Sequence, residues 1–355
     1  MRWMKLLPAV LALMLCCGCS TRELEDRSFP LAIGIDKNEE GMILSFDFPD
    51  LSESSDGKNP SGIPVSFSVE AGAYYEAQKA FENNTNKVLD YNHLKAVILS
   101  QEFLSDGEAV RELFSWLEQE EVLARNTYLF VAKESSVKIL TLTENTDGSV
   151  GKYLEQMVDT QEDFRESKIA TIGELMNQWH NQNELLLIPV LTDNGGVPSI
   201  TEYAAVDAFH YIGNISVEDA MKAFLCQGEL RQFLYRLSSG EVLEIRGIRT
   251  DMKIVAEDDA AVVTVKLSGQ AQSKKAGSRN LSNRQLEQAV NQQLTESLML
   301  GSARLLMDPG IDVSNSFIRL GGYQRTLYGQ YGRDKAAYQE HLNLQFEVDI
   351  KIVNE

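Results

Sequence analysis

The chain has 355 residues, a formal net charge of −19, 43% hydrophobic residues and only four cysteines. This length is enough for two or three domains with their own cores. The negative charge disfavours nucleic acid as a partner, because affinity for phosphates comes from Lys and Arg. It also disfavours a general electrostatic attraction to an anionic membrane.

The first 18 residues have the organisation of an export signal. Arg2 and Lys5 precede a 13-residue apolar run, 6–18. That run is too short to cross a hydrocarbon core of ~30 Å, and small residues follow it, as in a secretory signal. We therefore predict a signal peptide over residues 1–18. Its removal takes away two positive charges and changes the net charge from −19 to −21.

The end of this run resembles a lipobox. Gly18 precedes Cys19, which we predict to be the acylated residue and new N-terminus, while Cys16 and Cys17 leave with the signal. The alternative is an ordinary cleaved signal with incidental cysteines. Because processing leaves only Cys19 and Cys226, we expect no disulfide framework, and because no ligand cluster is present, no metal and no other cofactor.

After a charged tether over 22–27, the chain alternates strands with helices. A Ser, Gly, Pro and Asn-rich loop is predicted over 51–64. Such alternation favours an α/β first domain. The predicted strands are 29–36, 42–50, 65–71, 93–100 and 127–133. One helix is predicted over 75–89. A second helix is predicted after a capping box at Ser105 and Glu108, and its apolar face consists of Val110, Leu113, Phe114 and Leu117.

The middle of the chain is predicted to contain a boundary at 192–196. Before it, 169–191 reads as a helix leading to an apolar strand interrupted by Pro189. After it, 204–216 reads as a hairpin with its turn near 211–214. A short helix over 217–230 follows, in which Cys226 is interpreted as a small core residue.

The last third favours an α+β domain with one long helix. Ser282 and Gln285 form a second capping box, and the helix that follows is predicted to end near Met307. Residues 344–353 alternate between apolar and polar, which predicts a half-buried strand of an antiparallel sheet. Its predicted inward side chains are Leu344, Phe346, Val348, Ile350 and Ile352. The predicted divisions are 1–18 for the signal, 19–195 for an N-terminal α/β domain, 196–241 for a middle hairpin-helix domain and 242–355 for the C-terminal α+β domain.

Motifs of catalysis are missing from the sequence. There is no phosphate-binding G-x-x-x-x-G-K, no G-x-S-x-G and no H-E-x-x-H. The four histidines stand far apart, at positions 93, 180, 210 and 341. We therefore predict a protein that is not an enzyme.

Several segments, taken in order, resemble the Ger(x)C lipoproteins, the C subunits of spore germinant receptors. The resemblance spans nearly the whole chain and includes the long helix and the closing alternating strand. The segments that carry it are "TRELEDRSFPLAIGID" with Arg22, Glu23, Gly34, Ile35 and Asp36; "NHLKAVILSQEFL" with His93, Leu94, Lys95 and Glu102; "NTYLFVAK"; Ile188-Pro189; "AAVDAFHYIGNIS"; 285–307; and 344–353.

This resemblance implies a three-domain lipoprotein of mixed α/β and α+β class, held by acyl chains on the outer face of the inner spore membrane. It implies a non-enzymatic scaffold that assembles with two integral-membrane subunits, A and B, into a receptor for nutrient germinants. A second hypothesis is a solute-binding lipoprotein of a transporter, which would have two parallel α/β lobes and a hinge. A cell-envelope hydrolase is disfavoured by the missing motifs.

Overall fold

The structure is a computed structural model. Cys19, the signal peptide and the loop 51–64 lie outside the residues that it describes. None of the described helices combines the length and the apolar character that a membrane span needs. The described residues are 24–39, 41–49, 66–119, 123–142, 145–146, 148–164, 167–180, 185–207, 210–257, 260–274, 281–308, 310–331 and 334–353.

The N-terminal half is organised around an eight-stranded sheet. Its four central strands run parallel, and antiparallel strands flank them on both sides. Across the sheet the order is β10-β9-β8-β7-β6-β2-β3-β4, and β1 and β5 form a separate parallel pair. The strands are β1 (Arg27–Ser28), β2 (Ala32–Asn38), β3 (Gly41–Asp47), β4 (Ser66–Ala71), β5 (Val88–Leu89), β6 (Ala96–Ser100), β7 (Tyr128–Ala132), β8 (Leu185–Asp193), β9 (Pro198–Asp207) and β10 (His210–Ser216).

Helices cover both faces of this sheet, which explains why the central strands β6 and β7 are buried along nearly their whole length rather than on alternate residues. On β6, Val97 and Leu99 enter one apolar cluster and Ile98 enters the other. The first cluster includes α1, α2, α3 and α6, and the second includes α4 and α5. The helices are α1 (Tyr74–Thr85), α2 (Gln101–Leu104), α3 (Gly107–Gln119), α4 (Ser136–Leu140), α5 (Val150–Phe164) and α6 (Ile172–His180).

The C-terminal half has a four-stranded sheet in the order β11-β12-β13-β14. The capping box predicted at Ser282 and Gln285 is present with both of its hydrogen bonds, and the long helix α8 begins there. On that helix Asn291 exchanges two hydrogen bonds, of 2.7 and 3.1 Å, with the backbone of Ile350 in β14. The elements are α7 (Val217–Gln227), β11 (Gln232–Arg236), β12 (Val242–Glu257), β13 (Ala260–Ser273), α8 (Asn283–Met307), α9 (Ser316–Tyr323), α10 (Arg325–Gln330), α11 (Lys335–Glu340) and β14 (Leu342–Ile352).

The mixed α+β class and the C-terminal sheet with one long helix agree with the sequence prediction. The alternation of β14 is confirmed, because its apolar side chains pack on the core while its polar ones are exposed. Its pairing differs from the expectation. The first three strands are antiparallel, but β14 runs parallel to β13. A parallel partner requires a long crossover connection, which α8 to α11 supply.

Three local predictions need correction. The first helix ends at Thr85 rather than near 89, because Asn86 adopts a left-handed conformation with φ 55°. The cap of α3 is Asp106 and not Ser105: the Asp106 carboxylate accepts hydrogen bonds from the first turn, and the Ser105 hydroxyl donates back to Gln101. Residues 211–214, where the hairpin turn was predicted, belong to strand β10, whose first residue His210 pairs with Asp207.

Pro189 lies within β8 rather than ending it. It is in register with Tyr203 of the antiparallel neighbour β9. Pairing with the parallel neighbour β7 involves only Val190 and Leu191, after the proline. Proline has no N–H to donate to a neighbouring strand. The strand β8 nevertheless continues through Pro189 in its pairing with β9, and its pairing with β7 begins only after the proline.

The predicted boundary at 195/196 falls in the turn between β8 and β9. Residues 198–216 extend the N-terminal sheet, and an apolar cluster joins β8, β9 and α7 to the C-terminal sheet. Division of the chain into separately folding domains stays a prediction.

Phe346 and Glu347 are neighbours on opposite faces of β14, and they give a matched test of the strand. Phe346 is 8% exposed. Phe346→Ala should lower the free energy of unfolding by ~3–5 kcal/mol, because it removes a buried ring and leaves a cavity. Glu347 makes an exposed ion pair of 3.5 Å with Lys266, so Glu347→Ala should cost less than about 0.5 kcal/mol. Denaturant melts measure both, and equal losses would contradict the assignment of faces.

Candidate functional site

The predicted lipidation site, Cys19, lies outside the described residues, but the structure shows how the segment after it joins the body. Leu24–Asp26 forms a single turn, and β1 then pairs in parallel with β5. The Asp90 N–H donates to the Ser28 carbonyl at 2.8 Å, and the Arg27 guanidinium donates to the Asp90 carboxylate at 2.8 Å. We call this contact, Arg27–Ser28 against 88–90, the anchor clamp.

Further contacts hold the clamp from both ends. The Lys87 ammonium donates to the Glu25 carbonyl, and the Phe29 ring meets His93 edge-on with centroids 5.1 Å apart. Partial burial raises the pKa of Asp90, but hydrogen bonds from Asn92 and Arg27 outweigh it and hold that pKa below its usual value. Asp90 therefore keeps its charge, and with it the ion pair to Arg27, to a lower pH than an ordinary aspartate does.

The motif Gly34-Ile35-Asp36, which contributes to the family resemblance, has a structural role here. The buried Asp36 carboxylate accepts from the Ser136 N–H at 2.8 Å, the Ser136 hydroxyl at 2.5 Å and the Val137 N–H at 3.1 Å. It therefore satisfies the first amides of α4. Ser136 also packs directly against Gly34. A side chain at position 34 would not fit there, because its Cβ would be 2.4 Å from the Ser136 hydroxyl.

A second buried carboxylate, that of Asp47 at the end of β3, packs against the start of α5. It is fully buried, and one oxygen accepts from the Ser149 hydroxyl and the Gly151 N–H, each at 2.8 Å. No described residue hydrogen-bonds its other oxygen. Burial raises the pKa of Asp47 to about 6, although hydrogen bonds from Gly151, Ser149 and Val150 act against the rise. Sequence patterns gave no signal for this residue, since nothing local marks a carboxylate that is buried by a helix 100 positions away.

A polar network lies where the parallel strands end. Asn214 donates to Gln101 at 2.9 Å and to Glu202 at 3.0 Å, and the Tyr211 hydroxyl donates to Asn214 at 2.9 Å. Lys133, directly after β7, pairs with Glu202 at 2.9 Å. Through Lys133 and Glu202 this network joins β7 and β9, which are not neighbours in the sheet.

A cleft of about 400 Å³ opens at the same carboxyl edge. The outer ends of open α/β sheets are common ligand sites. Here, however, the charged side chains of the rim are engaged with protein groups: Lys133 with Glu202, and Lys138 with Glu134 at 2.5 Å. The lining includes Lys133, Glu134, Lys138, Ile139, Leu191 and Asp193.

The two sheets meet around α7, where an ion-pair cluster forms around the buried Lys222 and Asp219. Lys222 is 7% exposed and pairs with Asp219 at 3.2 Å and with Glu218 at 2.9 Å, while Arg304 of α8 also binds Asp219. The Lys222 stem crosses Gly301, where a Cβ would be 2.7 Å from it. A buried charge is tolerated only when it is paired, so this cluster fixes α7 against α8.

The C-terminal half also contacts the edge of the N-terminal sheet directly. The Asn315 side chain accepts from the Leu185 N–H at 2.8 Å, and Lys335 binds the Asp207 carboxylate at 2.6 and 2.5 Å. Nearby, Asp312 accepts four hydrogen bonds from the backbone and hydroxyls of Ser314 and Ser316. These contacts hold the start of α9 against β8.

Within the described residues, no group of three or more His, Cys, Asp and Glu side chains could hold a metal ion. His93, His210 and His341 are exposed and belong to different elements. A second cleft, of about 200 Å³, lies beside α7, and its Lys168 is paired with Glu174 at 2.7 Å and Glu229 at 2.5 Å.

Comparisons with known proteins agree with this architecture. Residues 20–193 match the model of the spore germination protein N-terminal domain. The chain belongs to the Ger(x)C family of spore germination proteins. The crystal structure of the GerBC protein has a similar fold, with a TM-score of 0.62 at 14% identity, covering 94% of this chain and all of that one. No curated protein is similar enough in sequence to count as a match.

In this Ger(x)C protein the residues that carry the resemblance mainly build the frame. Asp36 caps α4, His93 packs on Phe29, and Lys95 pairs with Glu155 at 2.7 Å. The sequence located these positions but did not show what they touch. The anchor clamp was missed, because 88–89 was predicted as the end of a helix.

Asp47→Asn tests the cost of the buried carboxylate. The folded-state pKa is raised from 3.8 to about 6, so the folded chain binds this proton more tightly than the unfolded chain does. Wild-type stability should therefore fall as pH rises from about 4 to about 6, by up to about 3 kcal/mol from this group. Asn keeps a hydrogen-bond acceptor but carries no charge. The free energy of unfolding of the variant should therefore rise relative to that of the wild type as the pH increases over that range. Urea melts at pH 4 and pH 7 measure it, with the exposed Asp159→Asn as control; parallel pH profiles for wild type and Asp47→Asn would contradict the assignment.

Two glycines at helix starts test how closely α5 approaches Leu31, the residue directly before β2. A Cβ at Gly151 would lie 2.5 Å from the backbone of Leu31, whereas a Cβ at Gly107 would meet nothing within 4 Å. Gly151→Ala should cost ~1–3 kcal/mol or more through backbone displacement. Gly107→Ala should be neutral or stabilising by up to ~1 kcal/mol. Thermal or urea melts compare the two, and the reverse order would mean that α5 does not lie against Leu31.

Proposed function

We propose that this chain is the lipid-anchored C subunit of a nutrient germinant receptor. In this proposal Cys19 carries the acyl chains, and the body lies at the outer face of the inner spore membrane. It assembles there with the integral-membrane A and B subunits and acts as a scaffold rather than as a catalyst.

The observation that carries the proposal is the family match, which begins at residue 20, directly after Cys19. The folded body is therefore matched from the residue that acylation would place next to the lipid. The formal charge of −19 gives a reason for a lipid anchor, since anionic headgroups repel an acidic protein. Two acyl chains anchor stably, whereas one binds only marginally.

A scaffold role is supported by the way the two sheets are joined. Ion pairs, an Asn–backbone contact and a common apolar cluster hold them together. A body of this kind can present surfaces on both sheets in a fixed relation to each other. Receptor partners that bind both sheets would then be held in a fixed arrangement too.

Cys19→Ala is the direct test of the anchor. The full-length variant, expressed in spores, should lose its acyl label and leave the membrane fraction, because an acidic body has little other affinity for the bilayer. Germination through this receptor should then fall, and the membrane levels of the A and B subunits should fall with it if the chain is a scaffold. Immunoblots and metabolic labelling with a fatty acid measure these outcomes.

Cys17→Ala is the matched control, two residues away in the predicted signal. It should leave labelling and membrane association unchanged. A Cys19→Ala protein that keeps its label would contradict the assignment of the acylated residue. Normal levels of A and B with an unanchored C subunit would contradict the scaffold role alone.

A further inference from the structure

We infer that the anchor clamp holds one end of the N-terminal sheet, the amino edge of β2 and β6, against the lipid bilayer. The partner of this surface is the membrane itself. The inference rests on the proposed acylation of Cys19 and adds the orientation of the body, its distance from the bilayer and the contact that sets both.

The first step is the reach of the chain. Leu24 begins the first described turn, five residues after Cys19. At about 3.4 Å per residue, a fully extended chain of that length spans at most ~17 Å. A lipid on Cys19 therefore cannot lie further than this from Leu24, whatever path the chain takes.

The second step is that the clamp prevents the chain from extending further. Without the β1–β5 pairing and the Arg27–Asp90 ion pair, the next fixed point is Leu31, whose N–H donates to the Asp47 carbonyl at 2.7 Å. That point is 12 residues from Cys19, a reach of roughly 41 Å at about 3.4 Å per residue. The clamp therefore shortens the tether by more than half, and a short tether restricts the orientations that the body can adopt.

The third step is where the clamp lies on the body. Directly after it, the Lys95 N–H donates to the Leu31 carbonyl at 2.8 Å, and β2 and β6 then run side by side in the same direction. The clamp is thus at the amino ends of these strands. The seven residues of β2 extend ~23 Å away from it at about 3.3 Å per residue. The carboxyl edge, with Lys133 and its cleft, consequently faces away from the bilayer.

The charges of this surface indicate that the length of the tether, and not attraction to lipid headgroups, sets the orientation of the body. Beside the clamp, Arg27 pairs with Asp90, Lys95 with Glu155, and Lys87 with the Glu25 carbonyl. The described residues 24–31 and 87–95 carry three cations, Arg27, Lys87 and Lys95, and three carboxylates, Glu25, Asp26 and Asp90. This stretch therefore has no excess of positive charge to attract anionic lipid. The orientation should therefore be insensitive to salt, unlike that of a polybasic membrane contact.

The test measures the distance of two exposed positions from the membrane in the full-length, acylated protein. Asn83→Cys places a fluorophore on the exposed side of α1, four residues before Lys87 and the clamp, and Lys138→Cys places one at the carboxyl edge, where that side chain is 71% exposed. Cys226 is fully buried and does not compete for the label. Each protein is reconstituted in phosphatidylglycerol–phosphatidylethanolamine vesicles that carry a headgroup-labelled acceptor lipid, and energy transfer is recorded at low and high salt.

A tether series tests the cause. In one pair of variants, residues 20–23 are replaced by four Gly and Ser residues, which keeps the length. In the other pair, ten Gly and Ser residues are added at the same place. Transfer should be several-fold stronger from position 83 than from position 138 in the native and equal-length proteins, at both salt concentrations. The difference should largely disappear with the long tether.

Flotation of the vesicles separates the two levels of the argument. Protein that does not float shows that the acyl anchor is wrong, and the orientation is then wrong with it. Protein that floats but gives equal transfer from both positions, or stronger transfer from position 138, overturns the orientation and leaves the anchor intact. A difference that high salt abolishes would mean that electrostatic contacts set the orientation, which also overturns the inference.

Discussion

The architecture depends on burying one helix, α7, between two sheets. Ala220, Ala223 and Cys226 are fully buried on it, and Phe224 meets Tyr203 of the N-terminal sheet edge-on at 5.4 Å. Small side chains allow strands to approach from more than one side, and the common apolar cluster extends from β8 to β14. Separating the two sheets would expose this cluster to water, at roughly 25 cal/mol for each Å² of apolar surface. The halves are therefore coupled through a core and not only through a linker.

The polar groups of that junction follow from the same constraint. Lys222 lies on the buried helix, and leaving its ammonium unpaired would cost several kcal/mol. Its pairing with Asp219, together with the binding of Asp219 by Arg304, brings the charge of α8 to the same place. Gly301 provides the space that the Lys222 stem occupies. A buried cation on α7 thus determines which face of the long helix can pack against it.

Buried carboxylates at helix starts also need partners for their charge. Asp36 and Asp312 have both oxygens engaged by amides and hydroxyls of the first turn, so hydrogen bonds offset their loss of hydration. At Asp47 only one oxygen has a described partner, and burial raises the pKa of this carboxyl to about 6. Buried carboxylates at helix starts in this fold therefore differ in how many donors they meet.

The sequence predicted what is local and missed what is not. Alternation located β14 and its inward residues, and a capping box located the start of α8, since both signals lie within a few positions. The parallel pairing of β14, the partners of Asp36 and the β1–β5 pair depend on segments 60 to 100 positions apart. The predicted helix 75–89 failed for the same reason: the pairing that makes 88–89 a strand is with residues that precede it by 61 positions. Of the candidate site, the sequence predicted Cys19 and the motif positions, but not the contacts that give those positions their role.

The anchor clamp and α7 contact different strands of the same N-terminal sheet. The clamp joins the segment after Cys19 to the amino edge of β2 and β6, and these strands belong to the sheet whose other side carries β8 and β9. Those two strands share the α7 core with the C-terminal sheet. If Cys19 carries the proposed lipid, that fixed point would set the height and the orientation of both sheets, because the described contacts from the clamp to α7 are hydrogen-bonded, ion-paired or buried. In the proposed receptor such positional control would itself be a function, because integral-membrane partners could bind a surface only where the anchor holds it.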